Sequence, residues 1–301
     1  MLRTTLATLA LLAAISPAYA DEPCKLVRMT TVDANVDGTD HLFIPAELAG
    51  RKTKLMVDTG GAWSLIKSEL ADELKLERHY NQNSDFVDAS GKSMRQYVRV
   101  SGLKLGSLAF TGPVDFIVMS GYHGDLDDFG GTIGLNVIAR FDVEMDSAEK
   151  KINLFNPKHC PHLGAYWANE YVELPLINAG GLPETKVDID GEKIRALIDT
   201  GSTRTFMDLK LAERKFGLTL ASPGMKEDGE LTLPSGKVTK TYAYTFKTLT
   251  ISGFSFNDVE VILDEETDGG LILGMNELKQ LHLYFSFKEE LLYATTADAH
   301  R

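Results

Sequence analysis

Two segments of the chain alternate between apolar and polar positions on either side of a short turn. The first turn is Ala49-Gly50 and the second is Asp190-Gly191, a dipeptide that is typical of β-hairpins. The second arm of each segment ends in three consecutive apolar residues, 55–57 and 196–198, as is typical of a buried strand. The pattern therefore predicts two β-hairpins whose second strands run into a protein core.

The elements that follow these hairpins also occur twice and in the same order. Each copy continues with an Asp-Thr-Gly triplet, a helical pattern (67–76 and 208–216), a Ser-Gly-Lys turn, further strands and an apolar-apolar-Gly segment. Gly134 follows Asp58 by 76 positions, and Gly274 follows Asp199 by 75. A repeat this regular indicates a duplicated lobe. We predict an all-β protein with short helices and two such lobes.

The boundary between the copies falls in residues 156–169, which contain two prolines and no strand pattern. We place the N-terminal lobe at 21–160 and the C-terminal lobe at 161–301.

The first twenty residues have the features of a signal peptide. Arg3 gives a positive start, an apolar run follows, and Ala18-Tyr19-Ala20 fits a cleavage site. The apolar run is about half as long as a membrane-spanning helix requires, so a membrane anchor is disfavoured. We predict an exported protein that is periplasmic or secreted after cleavage.

Composition and cysteine content narrow the partners. The chain is 44% hydrophobic and carries a formal net charge of −12 with no basic cluster, which predicts a globular protein without a nucleic-acid partner.

In an oxidising compartment, Cys24 and Cys160 are more often paired than free, so we predict a disulfide between them. A metal site at Cys160 and its neighbouring histidines is the disfavoured alternative, because too few ligands converge in the sequence.

At its two triplets the chain resembles the retropepsin-like aspartic proteases. The residues that carry the resemblance are Asp58-Thr59-Gly60 and Asp199-Thr200-Gly201, with the segments ending in Gly134 and Gly274 as their apolar partners. The resemblance covers nearly all of both lobes. It implies two acid-protease β-barrel lobes related by a pseudo-twofold axis, each of which supplies one catalytic aspartate.

The resemblance also implies a mechanism and a substrate. Asp58 and Asp199 would share one proton and activate a water molecule, with no cofactor and no metal, to cleave an extended peptide or protein. Thr59 and Thr200 would join the two loops by hydrogen bonds, and Gly60 and Gly201 would present backbone amides to the carboxylates. Since one chain holds both lobes, we expect a monomer.

The two Ser-Gly-Lys turns fall where family members carry the flaps that close over substrate. They are Ser90-Gly91-Lys92 in the first lobe and Ser235-Gly236-Lys237 in the second. The alternative is a pair of ordinary surface turns.

The chain departs from the family pattern directly after the first triplet. Gly61 stands where the family usually has Ser or Ala, whereas Ser202 fits the pattern in the second lobe. In the family this serine donates its hydroxyl proton to the adjacent carboxylate and so favours the charged form. The resemblance therefore implies that the shared proton resides on Asp58.

Two other functions were weighed against a peptidase. A non-catalytic peptide-binding protein of the same fold would be indicated by the loss of one aspartate, and both are present. A kinase of the actin-like ATPase type is suggested by the sequence from Asp199 to Thr205, but such a phosphate loop should occur once and not follow a hairpin.

Overall fold

The computed structural model describes residues 25–38, 40–81, 86–87, 93–119, 129–159, 161–179, 181–233, 236–265 and 270–299. The predicted signal peptide, both cysteines, the turn Ser90-Gly91-Lys92 and Ser235 lie outside the described residues.

The N-terminal lobe is built from short strands and two short helices. In chain order they are β1 (Arg28–Asp33), β2 (Asn35–Val36), β3 (Leu42–Leu48), β4 (Arg51–Val57), β5 (Ser64–Lys67), α1 (Ser68–Glu73), β6 (Arg78–Tyr80), β7 (Phe86–Val87), β8 (Ser93–Met94), β9 (Gln96–Val100), β10 (Lys104–Leu105), β11 (Leu108–Ala109), β12 (Val114–Met119), β13 (Phe129–Ile133), α2 (Leu135–Ile138), β14 (Asp142–Asp146) and β15 (Lys151–Phe155).

The C-terminal lobe repeats this plan with longer strands. Its elements are β16 (Val172–Pro175), β17 (Ile177–Ala179), β18 (Leu182–Ile189), β19 (Glu192–Ile198), β20 (Phe206–Asp208), α3 (Leu209–Phe216), β21 (Lys226–Thr232), β22 (Val238–Ile251), β23 (Phe254–Asp264), β24 (Leu271–Leu273), α4 (Met275–Leu278), β25 (Leu281–Ser286) and β26 (Leu291–Thr296).

The central strands of the two lobes pair in the same way. In the first lobe β4 is parallel to β13, β13 is antiparallel to β5, and β5 is parallel to β12. In the second lobe β19, β24, β20 and β23 follow the same sequence of parallel and antiparallel pairings. Both predicted hairpins are present, because β3 pairs with β4 and β18 pairs with β19. The duplicated all-β architecture is thereby confirmed.

A third sheet joins the lobes and was not predicted from the sequence. Its strand order is β1-β15-β14-β25-β26-β16, so that each lobe contributes three strands. The order is symmetric about the contact between β14 and β25, where Glu144 lies opposite Tyr284. The pseudo-twofold axis passes through this contact. Each lobe therefore closes with a hairpin, β14–β15 in the first lobe and β25–β26 in the second.

One face of the shared sheet carries buried ionisable groups beneath the segment that connects the lobes. Asp142 of β14 forms an ion pair with His159 of that segment, and Glu144 accepts a hydrogen bond from Tyr166 at 2.8 Å. Nε2 of His282 lies 3.0 Å from Glu144. Burial raises the pKa of Asp142, and its hydrogen bond to His159 opposes that shift. The predicted linker is thus held against the sheet by polar contacts.

The helices after the triplets differ in how closely they follow prediction. The first is shorter than expected, since Lys67 is still part of β5 and Lys75 has a left-handed φ of 52°. The second agrees closely: Asp208 caps α3 by accepting a hydrogen bond from Lys210 N–H, and Gly217 ends it with φ 68°.

Within the described ranges, the helices are too short to cross a membrane.

Candidate active site

Each Asp-Thr-Gly triplet is held where a buried strand ends at the edge of the apolar-apolar-Gly segment. Asp58 N–H donates to the carbonyl of Ile133 at 3.1 Å, and Asp199 N–H donates to that of Leu273 at 3.0 Å. The apolar runs before the triplets are therefore the central strands β4 and β19, each paired in parallel with the strand that precedes the glycine. In each lobe the same local structure therefore places the aspartate directly after the central strand.

The two triplets meet through a symmetric set of hydrogen bonds. Thr59 Oγ1 accepts from Thr200 N–H at 3.0 Å and donates to the Ile198 carbonyl at 2.7 Å. Thr200 Oγ1 accepts from Thr59 N–H at 3.2 Å and donates to the Val57 carbonyl at 2.8 Å. Both threonines are 1% exposed. The interlobe hydrogen bonds implied by the resemblance are present.

The carboxyl groups of Asp58 and Asp199 share a hydrogen bond, and backbone amides act on both of them. Oδ1 of Asp199 accepts from Gly201 N–H at 2.8 Å and from Gly60 N–H at 3.2 Å. Amides aimed at a carboxylate stabilise its charged form. These two glycines therefore present their amides to Asp199, as the resemblance implies.

The pKa of Asp58 is raised well above its usual range, first by burial and then by the charge of Asp199. Burial also raises the pKa of Asp199, but the backbone amides of Gly201, Gly60 and Ser202 and the hydrogen bond from Asp58 oppose that shift. Both pKa values are raised, and two adjacent carboxyl groups titrate as a pair, so the pair retains one shared proton at pH values where isolated carboxyl groups are ionised.

The glycines of the triplets are required by close approach. A Cβ atom on Gly60 would lie 2.5 Å from Oδ1 of Asp199, and one on Gly201 would lie 2.7 Å from Cγ of Asp58. Neither residue has a positive φ. Each glycine thus makes room for the carboxyl group of the other lobe.

The expected contact between the Ser202 hydroxyl and Asp199 is wrong. Ser202 Oγ donates to the carbonyl of Arg204 at 2.9 Å, and its backbone amide acts on Asp199 instead. The hydroxyl donates its hydrogen bond to a nearby loop carbonyl instead of the carboxylate. The sequence does not show that this carbonyl lies within reach. In the first lobe a Cβ on Gly61 would lie 2.5 Å from Oδ2 of Asp58, so a side chain there would displace this carboxyl group. The assignment of the shared proton to Asp58 stays a prediction.

Two buried hydroxyl groups support the triplet loops and were missed from the sequence. Ser64 Oγ donates to Oδ1 of Asn136 at 2.7 Å and accepts from Gly134 N–H at 3.0 Å. In the second lobe Thr205 Oγ1 donates to Oδ1 of Asn276 at 3.2 Å. Each hydroxyl lies six positions after the aspartate of its lobe, and each asparagine lies two positions after the glycine. This equal spacing in the two sequence copies could have identified both pairs.

The two predicted flap turns lie on hairpins. In the first lobe β7 pairs with β8, and the turn between them is outside the described residues. In the second lobe β21 pairs with β22, and Gly236 and Lys237 form the described part of the turn, with Gly236 at φ 78°. Leu233 N–H donates to the Lys237 carbonyl at 2.8 Å and closes this turn. Closure over substrate stays a prediction for both hairpins.

No group of three or more His, Cys, Asp or Glu side chains suited to a metal ion is found among the described residues. The predicted disulfide between Cys24 and Cys160 stays a prediction.

A comparison with protein-family models matches the chain twice, over residues 44–140 and 185–280, with the family described as gag-polyprotein putative aspartyl protease. The chain belongs to this family. One match falls in each predicted lobe, and each contains one aspartate of the pair, so the retropepsin-like resemblance and the two-lobed fold are confirmed. The lobe boundary at residue 160 stays a prediction.

Among solved structures, the crystal structure of conglutin gamma, a basic 7S globulin from lupine seeds, is similar to the chain. The two are 11% identical with a TM-score of 0.49, over 90% of this chain and 95% of that one. The comparison with curated proteins finds no match.

Proposed function

We propose that this aspartyl protease family member is an endopeptidase that cleaves peptide bonds with a water molecule activated between Asp58 and Asp199. The observation that supports it is the hydrogen-bonded pair of buried carboxyl groups, one from each lobe, whose raised pKa values favour one shared proton. Family membership supports an aspartic protease-like function in general. The catalytic roles and the activity itself are our proposal.

In the proposed reaction the two carboxyl groups have complementary roles. The charged Asp199 accepts a proton from water as the water oxygen attacks the carbonyl carbon, while Asp58 donates its proton to the carbonyl oxygen. Transfer of the proton from Asp199 to the amide nitrogen then releases the amine, and Asp58 regains a proton from the collapsing diol. Aspartic proteases are the standard example of two carboxylates that share one proton.

The substrate, assembly and location follow as parts of the same proposal. An extended peptide would lie across the carboxyl pair between the two hairpins β7–β8 and β21–β22. We propose a monomer, because one chain supplies both aspartates, and an exported, periplasmic or secreted enzyme, because residues 1–20 have the features of a signal peptide.

The test is a peptide-library digest with the mature protein and the variants Asp58→Asn and Asp199→Asn. Each variant should fold and each should lose hydrolysis, because one carboxyl group cannot serve as both acid and base. Asp33→Asn is the matched control, since the Asp33 side chain is 88% exposed, and it should retain full activity. Near-normal turnover by either dyad variant would contradict the shared-pair mechanism.

A wild-type protein that binds peptides without cleaving them would contradict the peptidase proposal. That result would favour the alternative, a non-catalytic peptide-binding protein of the same fold.

A further inference from the structure

The two lobes place different side chains at equivalent positions beside the carboxyl pair. Trp63 and Arg204 each lie five positions after the aspartate of their lobe. The Trp63 ring contacts Phe86 of β7 edge-on, with ring centres 5.1 Å apart. Arg204 contacts the corresponding hairpin of its own lobe through Asp228 of β21, at 2.8 Å. Each residue therefore links the triplet loop to the hairpin that covers the same lobe.

The sheet face behind Trp63 is mostly apolar, but it also carries the Arg99–Asp115 ion pair, and Lys67 Nζ lies 4.5 Å from the centre of the Phe129 ring. The buried apolar side chains of this face form a cluster separate from the main core, and Phe86, Met94 and Tyr97 of the covering hairpin and its neighbour pack against it. The members of this cluster, which we call the lobe 1 wall, are Phe43, Met56, Leu65, Ile117, Met119 and Phe129. Trp63 contacts Phe86, which packs against this wall, and is 41% exposed. An exposed tryptophan beside an apolar cluster suits an apolar or aromatic ligand side chain.

At two positions the equivalent face of the second lobe carries a carboxylate in place of an apolar side chain. Phe43 pairs with Met56 in the first lobe, and Glu184 pairs with Leu197 at the equivalent place in the second. Glu184 therefore takes the place of Phe43. Met119 pairs with Lys67 just as Asp264 pairs with Asp208, so Asp264 takes the place of Met119. Strand register, which the sequence alone does not give, establishes both equivalences.

Arg204 does not offset the negative charge of this face. Its guanidinium donates to both oxygens of Asp228, at 2.8 and 3.0 Å, and to Oε1 of Glu260 at 2.8 Å. One cation is thus shared by two anions, and the Glu260 side chain is 54% exposed. We call Arg204, Asp228 and Glu260 the lobe 2 wall. It carries an excess negative charge, and its arginine is already engaged by carboxylates.

An extended peptide bound across the carboxyl pair would meet the two walls at equivalent positions on opposite sides of the scissile bond. We propose that the walls select opposite substrate side chains, an apolar or aromatic one against Trp63 and a cationic one at the equivalent position against Asp228 and Glu260. This inference rests on the proposed peptidase function, because it assigns a substrate class to the same site. Charge at a partly exposed rim acts mainly on selectivity.

The experiment compares hydrolysis of peptides that differ at one position. Lysine is exchanged for norleucine, and phenylalanine for alanine, at each of several positions on both sides of a fixed scissile bond. On one side lysine should raise kcat/KM about two- to fivefold over norleucine, the range of a partly exposed ion pair. On the other side, at the same distance, phenylalanine should be preferred. The lysine preference should shrink as salt is raised.

Variants connect each preference to its wall. Asp228→Asn combined with Glu260→Gln should remove the lysine preference and leave the phenylalanine preference intact. Trp63→Ala should do the reverse. Glu192→Gln is the matched control, because Glu192 pairs with Lys215 on α3 and lies outside both walls, so it should change neither.

Binding to the Asp58→Asn protein separates this inference from the proposed function. If peptides bind with the expected preferences but the wild type does not cleave them, the peptidase proposal fails and the selectivity holds. If the wild type cleaves without a lysine preference, or prefers an acidic residue on the lobe 2 side, the selectivity fails and the peptidase stands.

Discussion

The threonine pair beneath the carboxyl groups offers the sharpest test of how the lobes are held together. In Thr200→Val the side chain keeps its shape but loses the hydroxyl that accepts from Thr59 N–H and donates to the Val57 carbonyl. Both partners lie in residues that are 1% exposed, so water cannot replace the lost contacts. Each buried polar group left without a partner costs about 1–3 kcal/mol. Two such groups predict a loss of about 2–6 kcal/mol in the free energy of unfolding.

Thr200→Ser is the matched control. It keeps the hydroxyl and removes one buried methyl group, at an expected cost of about 1 kcal/mol. Thr59→Val removes the equivalent pair of hydrogen bonds, so its cost should match that of Thr200→Val. Urea titration followed by circular dichroism, with the midpoint and slope analysed together, gives the free energies. If Thr200→Val were no more destabilising than Thr200→Ser, the hydrogen bonds would not hold the lobes together as described.

Three further predictions concern single residues. Gly61→Ser should abolish activity and not merely shift the pH profile, because a Cβ at this position would lie 2.5 Å from Asp58 Oδ2; near-normal kcat/KM would contradict this packing. Glu277→Gln should stabilise the protein at pH 8 by up to about 3 kcal/mol, and this gain should vanish below pH 4.5. Burial raises the pKa of Glu277 from 4.5 to about 7, so the folded wild type loses stability as pH rises from 4.5 to 7. Equal urea midpoints for Glu277→Gln and the wild type at pH 8 would refute this prediction. Mass spectrometry of the unreduced mature protein should find Cys24 bonded to Cys160, and two free thiols would reject the disulfide.

The carboxyl pair makes the stability of the protein depend on pH, and the sign follows from the directions of its pKa shifts. Burial raises the pKa of Asp58 above the ordinary 3.8, so the folded protein holds that proton more tightly than the unfolded chain does. The pair therefore costs stability as pH rises above about 3.8, and none of this cost remains below it. An active site of this kind favours stability in acid, whereas catalysis requires one member of the pair to be ionised.

The sequence by itself determined the features that depend on short-range pattern and on repetition. Alternating apolar positions around Ala49-Gly50 and Asp190-Gly191 specified the hairpins, and the repeated triplets specified Asp58 and Asp199 as a pair. These features are recoverable because strand periodicity and turn chemistry are local, and because duplication presents each signal twice.

Only the tertiary structure decided which distant groups meet. β1 pairs with β15 more than a hundred positions later, and β14 pairs with β25 of the other lobe. Because these pairings are distant in sequence, no local pattern predicts the sheet that joins the lobes. The direction of the Ser202 hydroxyl was decided by competition between two acceptors, Asp199 and the Arg204 carbonyl, that the sequence cannot rank. The contrast between Trp63 and Arg204 acquired its meaning only through strand register, because register determines which side chains share a face.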